Sequence, residues 1–311
     1  MSLLNWQLHH DVANHHDFIL KLKDFCLAQG WTIVRFYQNI QWASIGGGQF
    51  GFVAGTEDYL EVTSPGYGSQ NLHFRFRMNN TLALPNNEYL EQAALLGNTA
   101  LNTASGTHPI TTGTGQWSNN TFRWTGIPTN PLPQVWFFGN NKFILAVIKC
   151  DADYCQFVTF GSLELYDAAQ TQGNFNGQTQ GGQDPWYNKG SVLPWNVNGE
   201  NVYYNGARQP SANSQWSFTI TTGDTLATGA FASYGRAVIK NDYSEVRTPF
   251  KQISYLKDTD TLWFALGTCW VYRINHDGLA IGEKVLYGVD EYLTFPNGRL
   301  ARKIGIAMRI L

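Results

Sequence analysis

Carboxylates are the residues of this sequence best suited to acid–base chemistry, because two carboxyl groups flanking a glycosidic bond can hydrolyse it. Acidic residues lie close together at Asp58 with Glu61, Asp151 with Asp153, Asp184 beside Trp186, Asp258 with Asp260, and Asp290 with Glu291. Most of them lie between strand signals, where Asp bonds its own backbone to form turns. A polysaccharide hydrolase is therefore the least supported function, because no pair stands out from turn chemistry.

Histidines and cysteines are the residues that could bind a transition metal. His9, His10, His15 and His16 cluster near the start of the chain. If this segment is helical, Asp11, His15 and His16 lie within about one turn and could share a metal ion. A strict i, i+4 histidine pair is missing, and the four cysteines lack the paired spacing of a zinc site. The sequence predicts no bound metal, no other cofactor, and free thiols.

Three glycine-containing motifs resemble known catalytic or binding loops only superficially. IGGGQFG at residues 45–51 lacks the lysine and hydroxyl of a phosphate loop, so a turn or bulge is expected. FGSLE at residues 160–164 lacks the second glycine of a nucleophile elbow. NHDGLAIGE at residues 275–283 lacks the regular oxygen ligands of a calcium loop, so we expect a hairpin turn at Asp277 and Gly278. These motifs predict a protein that is not an enzyme.

The amino-acid composition limits the classes of binding partner that we expect for the chain. Charged residues make up 14 % of it and the net charge is −2, whereas soluble domains carry roughly 25 % charged residues. No positive field attracts a nucleic-acid backbone, so nucleic acid is not an expected partner. A charge-poor, aromatic-rich surface suits a subunit that is covered by its neighbours, including copies of itself. The same composition also suits a glycan-binding module.

The chain carries no evident targeting segment. Its first residues lack the basic and apolar regions of a signal peptide. No run of 18 apolar residues is present, so no membrane span is expected. We expect synthesis in a cytoplasm without classical export.

Hydrophobic spacing in the first half predicts one helix followed by short strands. Residues 16–29 have helical spacing and are followed by Gly30, which suits a helix end. Strands are expected at residues 31–37, 50–55, 58–64 and 71–79. In the last of these, Leu72, Phe74, Phe76 and Met78 alternate with polar residues. Residues 86–98 contain good helix formers and predict a second helix, followed by a loop at residues 99–120.

The second half predicts strands throughout. Two apolar runs flanking Gly139, Asn140 and Asn141 predict a hairpin, and residues 154–166 add a third strand to a meander. Residues 167–189 are rich in Gly, Gln and Asn and predict a loop outside the core. Eight further apolar runs at intervals of about ten residues are typical of a sandwich or barrel. They are QWSFTI, FASYGRAVIK, QISYL, TLWFAL (residues 261–266), CWVYRI (residues 269–274), AIGEKVLYG, EYLTFP and KIGIAMRIL. The predicted fold is α+β, mainly β, with an α+β region at residues 1–165 and a β-rich region at residues 166–311.

Several segments resemble structural proteins of tailed-bacteriophage virions. The resemblance rests on VWFFGNNKFILAVIK (residues 135–149), YCQFVTFGSLELYD (residues 154–167), the following NFNGQ, and the ending YLTFPNGRLARKIGIAMRIL. The chain departs from this pattern at Glu164 and Leu165, where a basic residue is expected. The resemblance implies a non-enzymatic tail, neck or baseplate subunit, located in the virion, that forms a closed symmetric oligomer and contacts other virion proteins.

Two segments are the predicted assembly contacts. A loop without core-forming residues can be ordered by a partner, and a basic C-terminal segment can complement an acidic patch on a neighbour. An alternative for the latter is an edge strand whose cations deter aggregation. The contact residues are Asn174, Phe175, Asn176, Trp186, Tyr187, Arg299, Arg302, Lys303 and Arg309. In the glycan-binding alternative, Trp186 and Trp195 stack on a sugar receptor.

Overall fold

The computed structural model describes residues 4–46, 49–55, 57–65, 71–80, 88–95, 117–123, 132–149, 152, 155–162, 174–178, 217–221, 250–257, 262–296 and 304–311. In this part of the chain the elements are β1 (Asn5–Val12), α1 (His15–Ala28), β2 (Thr32–Gly46), β3 (Gln49–Ala54), β4 (Glu57–Pro65), β5 (Asn71–Asn80), β6 (Glu88–Leu95), β7 (Trp117–Arg123), β8 (Leu132–Gly139), β9 (Phe143–Lys149), β10 (Cys155–Ser162), β11 (Asn174–Gln178), β12 (Ser217–Thr221), β13 (Phe250–Lys257), β14 (Leu262–Asn275), β15 (Glu283–Tyr287), β16 (Asp290–Pro296) and β17 (Ile304–Arg309).

These strands form three antiparallel sheets. Sheet I has the order β3-β2-β4-β5-β6-β7, sheet II the order β1-β8-β9-β10-β11, and sheet III the order β12-β13-β14-β17-β16-β15. Most neighbours in a sheet follow each other in the chain. β1 is an exception, because it pairs with β8 across more than a hundred residues, with Trp6 opposite Phe138. The predicted class, mainly β with an N-terminal helix, is confirmed.

Helix α1 forms as the spacing predicts and buries one face. Asn14 caps its N-terminus by accepting a hydrogen bond from the backbone N–H of Asp17. Its apolar residues are buried against β8, where the rings of Phe18 and Phe25 lie 5.8 and 5.4 Å from that of Phe137. Gly30 follows the helix with a φ of +84°, a conformation that glycine adopts without strain.

Sheet II is the central layer, because its two faces belong to two different hydrophobic clusters. Along β9, Ile144, Ala146 and Ile148 pack with α1 and sheet I, whereas Phe143, Leu145 and Val147 pack with sheet III. Successive side chains of a strand point to opposite faces, so a strand buried on both faces is continuously apolar. This explains the run FILAVIK. The predicted hairpin and three-stranded meander of β8, β9 and β10 are confirmed.

The predicted second helix is wrong. Residues 88–95 form β6, which pairs with β5 on one side and β7 on the other. Helix propensity differs by less than about 1 kcal/mol per residue among these side chains, so two flanking ladders outweigh it. The predicted loop at residues 99–120 is also wrong at its end, where β7 begins at Trp117. Its other residues lie outside the described part of the chain.

The second half departs from the sequence prediction at three places. The expected separate strands at residues 261–266 and 269–274 are parts of one strand, β14. Asp277 and Gly278 form a turn, but not a hairpin, because β17 inserts between β14 and β16. Part of the predicted loop at residues 167–189 forms β11, which pairs with β10 at the outer edge of sheet II. β11 contains one apolar residue, Phe175, so no alternating pattern marks it as a strand in the sequence.

Candidate functional site

The candidate carboxylate pair Asp58 and Glu61 does not converge. The two residues lie three positions apart in β4, and residues at odd spacing in a strand face opposite sides. Asp58 approaches His16 of α1, whereas Glu61 bonds Tyr59 on the other face. Asp290 and Glu291 are adjacent in β16 and bind Arg309 and Lys284 respectively. Asp151, Asp153, Asp184, Asp258 and Asp260 lie outside the described residues.

Asp58 and His16 form a partly buried side-chain contact at the start of α1. Oδ2 of Asp58 lies 2.6 Å from Nδ1 of His16, and Oδ1 accepts a hydrogen bond of 3.1 Å from the backbone N–H of Asn39. Asn39 has a φ of +55°, which is unfavourable for a residue with a Cβ. Because His16 belongs to α1 and Asp58 to β4, their contact joins the helix to sheet I. No group of three potential metal ligands exists among the described residues.

A second polar cluster lies on the opposite face of β4. The hydroxyl of Tyr59 donates to Oε1 of Glu61 at 2.5 Å, and Nε of Arg35 lies 3.6 Å from Oε2. Arg75 is the register partner of Glu61 on the next strand, so two arginines flank this carboxylate. Burial raises the pKa of Glu61 and that of Tyr59. Because the Glu61 and Arg35 side chains are only 1 and 6 % exposed, the cluster orders the sheet and offers no access to a substrate.

His276 is a buried histidine in the turn after β14. Neither ring nitrogen hydrogen-bonds to another side chain within the described residues. Burial lowers the pKa of His276 to about 4, and the backbone of Thr294 offsets this only in part. β17 packs directly on the ring, since a Cβ added at Gly305 would lie 3.0 Å from the ring atom Cδ2 of His276. The imidazole is therefore a neutral packing group in the fold.

The structure describes only some of the predicted assembly contacts. Asn174, Phe175 and Asn176 lie in β11, whose register partners in β10 are Ser162, Gly161 and Phe160. Arg309 lies in β17, where its Nη2 bonds Oδ1 of Asp290 at 2.5 Å. The edge-strand interpretation of the C-terminal segment is wrong, because β17 lies between β14 and β16. Trp186, Tyr187, Trp195, Arg299, Arg302 and Lys303 lie outside the described residues.

An exposed apolar surface occurs at one end of sheet III. Leu286, Tyr287 and Val289 are 73, 52 and 88 % exposed, and Leu311 is 63 % exposed on the other side of β16. We call Leu286, Tyr287 and Val289 the edge patch. They belong to β15 and the turn that follows it, and β15 is the outermost strand of its sheet. Leu286 and Tyr287 are adjacent in β15 and face opposite sides of the sheet, so the edge patch borders both faces of this edge. Exposed apolar side chains on an unpaired edge favour the addition of another strand.

The charges beside the edge patch are already paired within the chain. Nζ of Lys284 lies 3.1 Å from Oε1 of Glu291, and Arg309 binds Asp290. The guanidinium of Arg309 also donates to the backbone carbonyl of Leu311 at 3.0 Å. An approaching surface therefore meets neutralised charge pairs at Lys284 and Arg309, and the exposed carboxylate of Glu283, which accepts a hydrogen bond from the backbone N–H of Ala280. Because its apolar side chains are exposed on an outermost strand, the edge patch is the candidate functional site.

The sequence pattern predicts the strand of the edge patch but not its exposure. AIGEKVLYG has the composition of an ordinary strand, and only the topology shows that β15 is outermost. The chain matches no protein-family model and no curated protein. Within the described residues, no helix has the length and apolarity needed to cross a membrane.

Proposed function

We propose that this protein is a non-enzymatic structural subunit of a tailed-phage virion that assembles with copies of itself and with neighbouring virion proteins. The observation that carries the assembly role is the edge patch on an outermost strand. Both faces of sheet II are buried in hydrophobic clusters, and the edge patch lies outside those clusters. Tail, neck or baseplate is the location that the sequence resemblance supports.

The polar groups of the described residues support the same role. The buried cluster at Glu61 and the His16–Asp58 contact both join neighbouring elements. A catalytic site needs polar groups that converge on an accessible volume. The Glu61 cluster and the His16–Asp58 contact lie on opposite faces of β4, so their polar groups do not converge on one site.

Light scattering of the purified chain over a hundredfold range of concentration tests the assembly role. The expected result is a mass that rises with concentration to a closed oligomer, with no binding on a glycan array. A stable monomer that binds glycans would contradict the proposal and favour a recognition module. Detection of the chain by mass spectrometry in purified phage particles encoding it tests the virion location.

A further inference from the structure

We propose that the outer edge of β15 pairs with the same edge of a second copy of this chain, in an antiparallel arrangement centred on Val285. This inference rests on the proposed assembly role and names the occupant of the edge patch. The pairing joins two copies of sheet III into one continuous sheet across a twofold axis. Such an isologous contact uses one surface on both copies and closes.

The exposed side chains distinguish β15 from the other edge strand whose side chains are described. In β1, the exposed positions are the polar residues Asn5, Gln7 and His10. In β15 and its turn, the exposed positions include the apolar residues Leu286, Tyr287 and Val289 beside Glu283 and Lys284, and Lys284 is paired with Glu291. Polar and charged residues on an edge oppose the addition of another strand, whereas exposed apolar residues favour it. β15 is therefore the edge suited to pairing.

Twofold symmetry restricts the register. The axis is perpendicular to the sheet, so one residue must lie opposite its own copy. Of the available registers, the one centred on Val285 pairs all five residues of β15. It places Glu283 opposite Tyr287 of the second copy and Lys284 opposite Leu286 of the second copy. No like charges lie directly opposite each other, which avoids a destabilising cross-strand pair.

The same register extends a hydrophobic cluster across the axis. Val285 is the register partner of Tyr292 and packs against the cluster that contains Tyr292, Ile274 and Ala307. In the dimer, Tyr292 and Val285 of one copy and Val285 and Tyr292 of the second copy follow one another across four neighbouring strands. Lys284 keeps its bond to Glu291, so no charge loses its partner. The chain thus complements itself in apolar surface, and the contact leaves the Lys284–Glu291 pair intact.

Cysteine cross-linking of the full chain tests this register. Val285→Cys places a thiol opposite its own copy, where directly opposed Cβ atoms lie about 4.5–5.5 Å apart. Val289→Cys is the matched control, because Val289 lies in the turn beyond Tyr287, whose copies are already about 14 Å apart along the strands. Under mild oxidation, or with a short bifunctional thiol reagent, we expect Val285→Cys to form at least tenfold more covalent dimer than Val289→Cys or the parent chain.

The outcomes separate this inference from the assembly role. If the parent associates but Val285→Cys cross-links no more than Val289→Cys, the register is overturned and the assembly role stands. If the parent remains monomeric and neither variant cross-links, both are contradicted. Preferential cross-linking at position 285 together with association of the parent supports both.

Discussion

Nδ1 of His16 lies 2.6 Å from Oδ2 of Asp58, whose side chain is completely buried. This contact fixes the first turn of α1 to β4. Because the helix also covers one face of sheet II, the pair helps to set the position of sheet I relative to the central layer.

Removing the imidazole should destabilise the fold. His16→Ala leaves the buried carboxylate of Asp58 with only the backbone N–H of Asn39 as a described partner. We expect the free energy of unfolding to fall by about 2 kcal/mol, the cost of a buried charged acceptor that loses a bond. Urea denaturation measures it. Lys21→Ala is the control, since it breaks a more exposed i, i+4 pair with Asp17 worth less than about 0.5 kcal/mol. Equal losses for both variants would contradict this account.

The backbone at Asn39 should prefer glycine. Its φ of +55° costs a residue with a Cβ about 1 kcal/mol, although Asn tolerates it better than Ala. Asn39→Gly should therefore be neutral or slightly stabilising, whereas Asn39→Ala should lower the melting temperature. If Asn39→Ala is as stable as Asn39→Gly in thermal unfolding, the left-handed conformation is wrong.

Stability should decrease as the pH falls through the acid range because of His276. Its folded pKa is about 4, below the ordinary value of about 6.5. Above about pH 6.5 both states are neutral, and the full stability is present. Between about pH 6.5 and 4 the unfolded state binds a proton that the native state excludes, so stability is lost, by about 3 kcal/mol in total.

The variant His276→Leu isolates this contribution. Burial also lowers the pKa of His9, so the parent's slope contains more than one histidine. The difference in slope between the parent and His276→Leu, measured by urea denaturation at several pH values, reports His276 alone. Identical slopes would show that His276 is solvated in the fold.

Gly161 should not tolerate a side chain. A Cβ there would overlap the backbone carbonyl oxygen of Lys142 and lie 2.8 Å from Cα of Phe143, and φ is +153°. Gly161→Ala should destabilise by about 2–4 kcal/mol. Gly288→Ala is the control, because φ is +64° but nothing lies within 4 Å of the added atom, so only about 1 kcal/mol is expected. A tolerated Gly161→Ala would contradict the pairing of β9 with β10.

Much of the fold could be predicted from local patterns. The 3.6-residue spacing of Phe18, Leu22 and Phe25 predicted α1, and the alternation of Phe74 and Phe76 predicted β5. Both are signals that a segment carries by itself. The helix predicted at residues 86–98 is wrong because the good helix formers there are held in β6 by two neighbouring strands.

The candidate site could not be predicted in the same way. The exposure of Leu286 and Val289 depends on β17 inserting between β14 and β16, a pairing between segments far apart in the chain. The sequence predicts an assembly contact at Arg309, and in the fold that partly exposed side chain binds Asp290 within the same sheet. A basic residue in a sequence does not show whether its partner is internal.

The central claim is that the edge patch mediates self-association, and sedimentation of matched lysine variants tests it most directly. Leu286→Lys with Val289→Lys places charge in the patch, and Leu27→Lys places it on α1 at a leucine that is 58 % exposed. We predict that the patch variant raises the concentration for half-association at least tenfold, about 1.4 kcal/mol, while Leu27→Lys leaves it unchanged. Equal association of the parent and the patch variant, or a parent that is monomeric throughout, would contradict the claim.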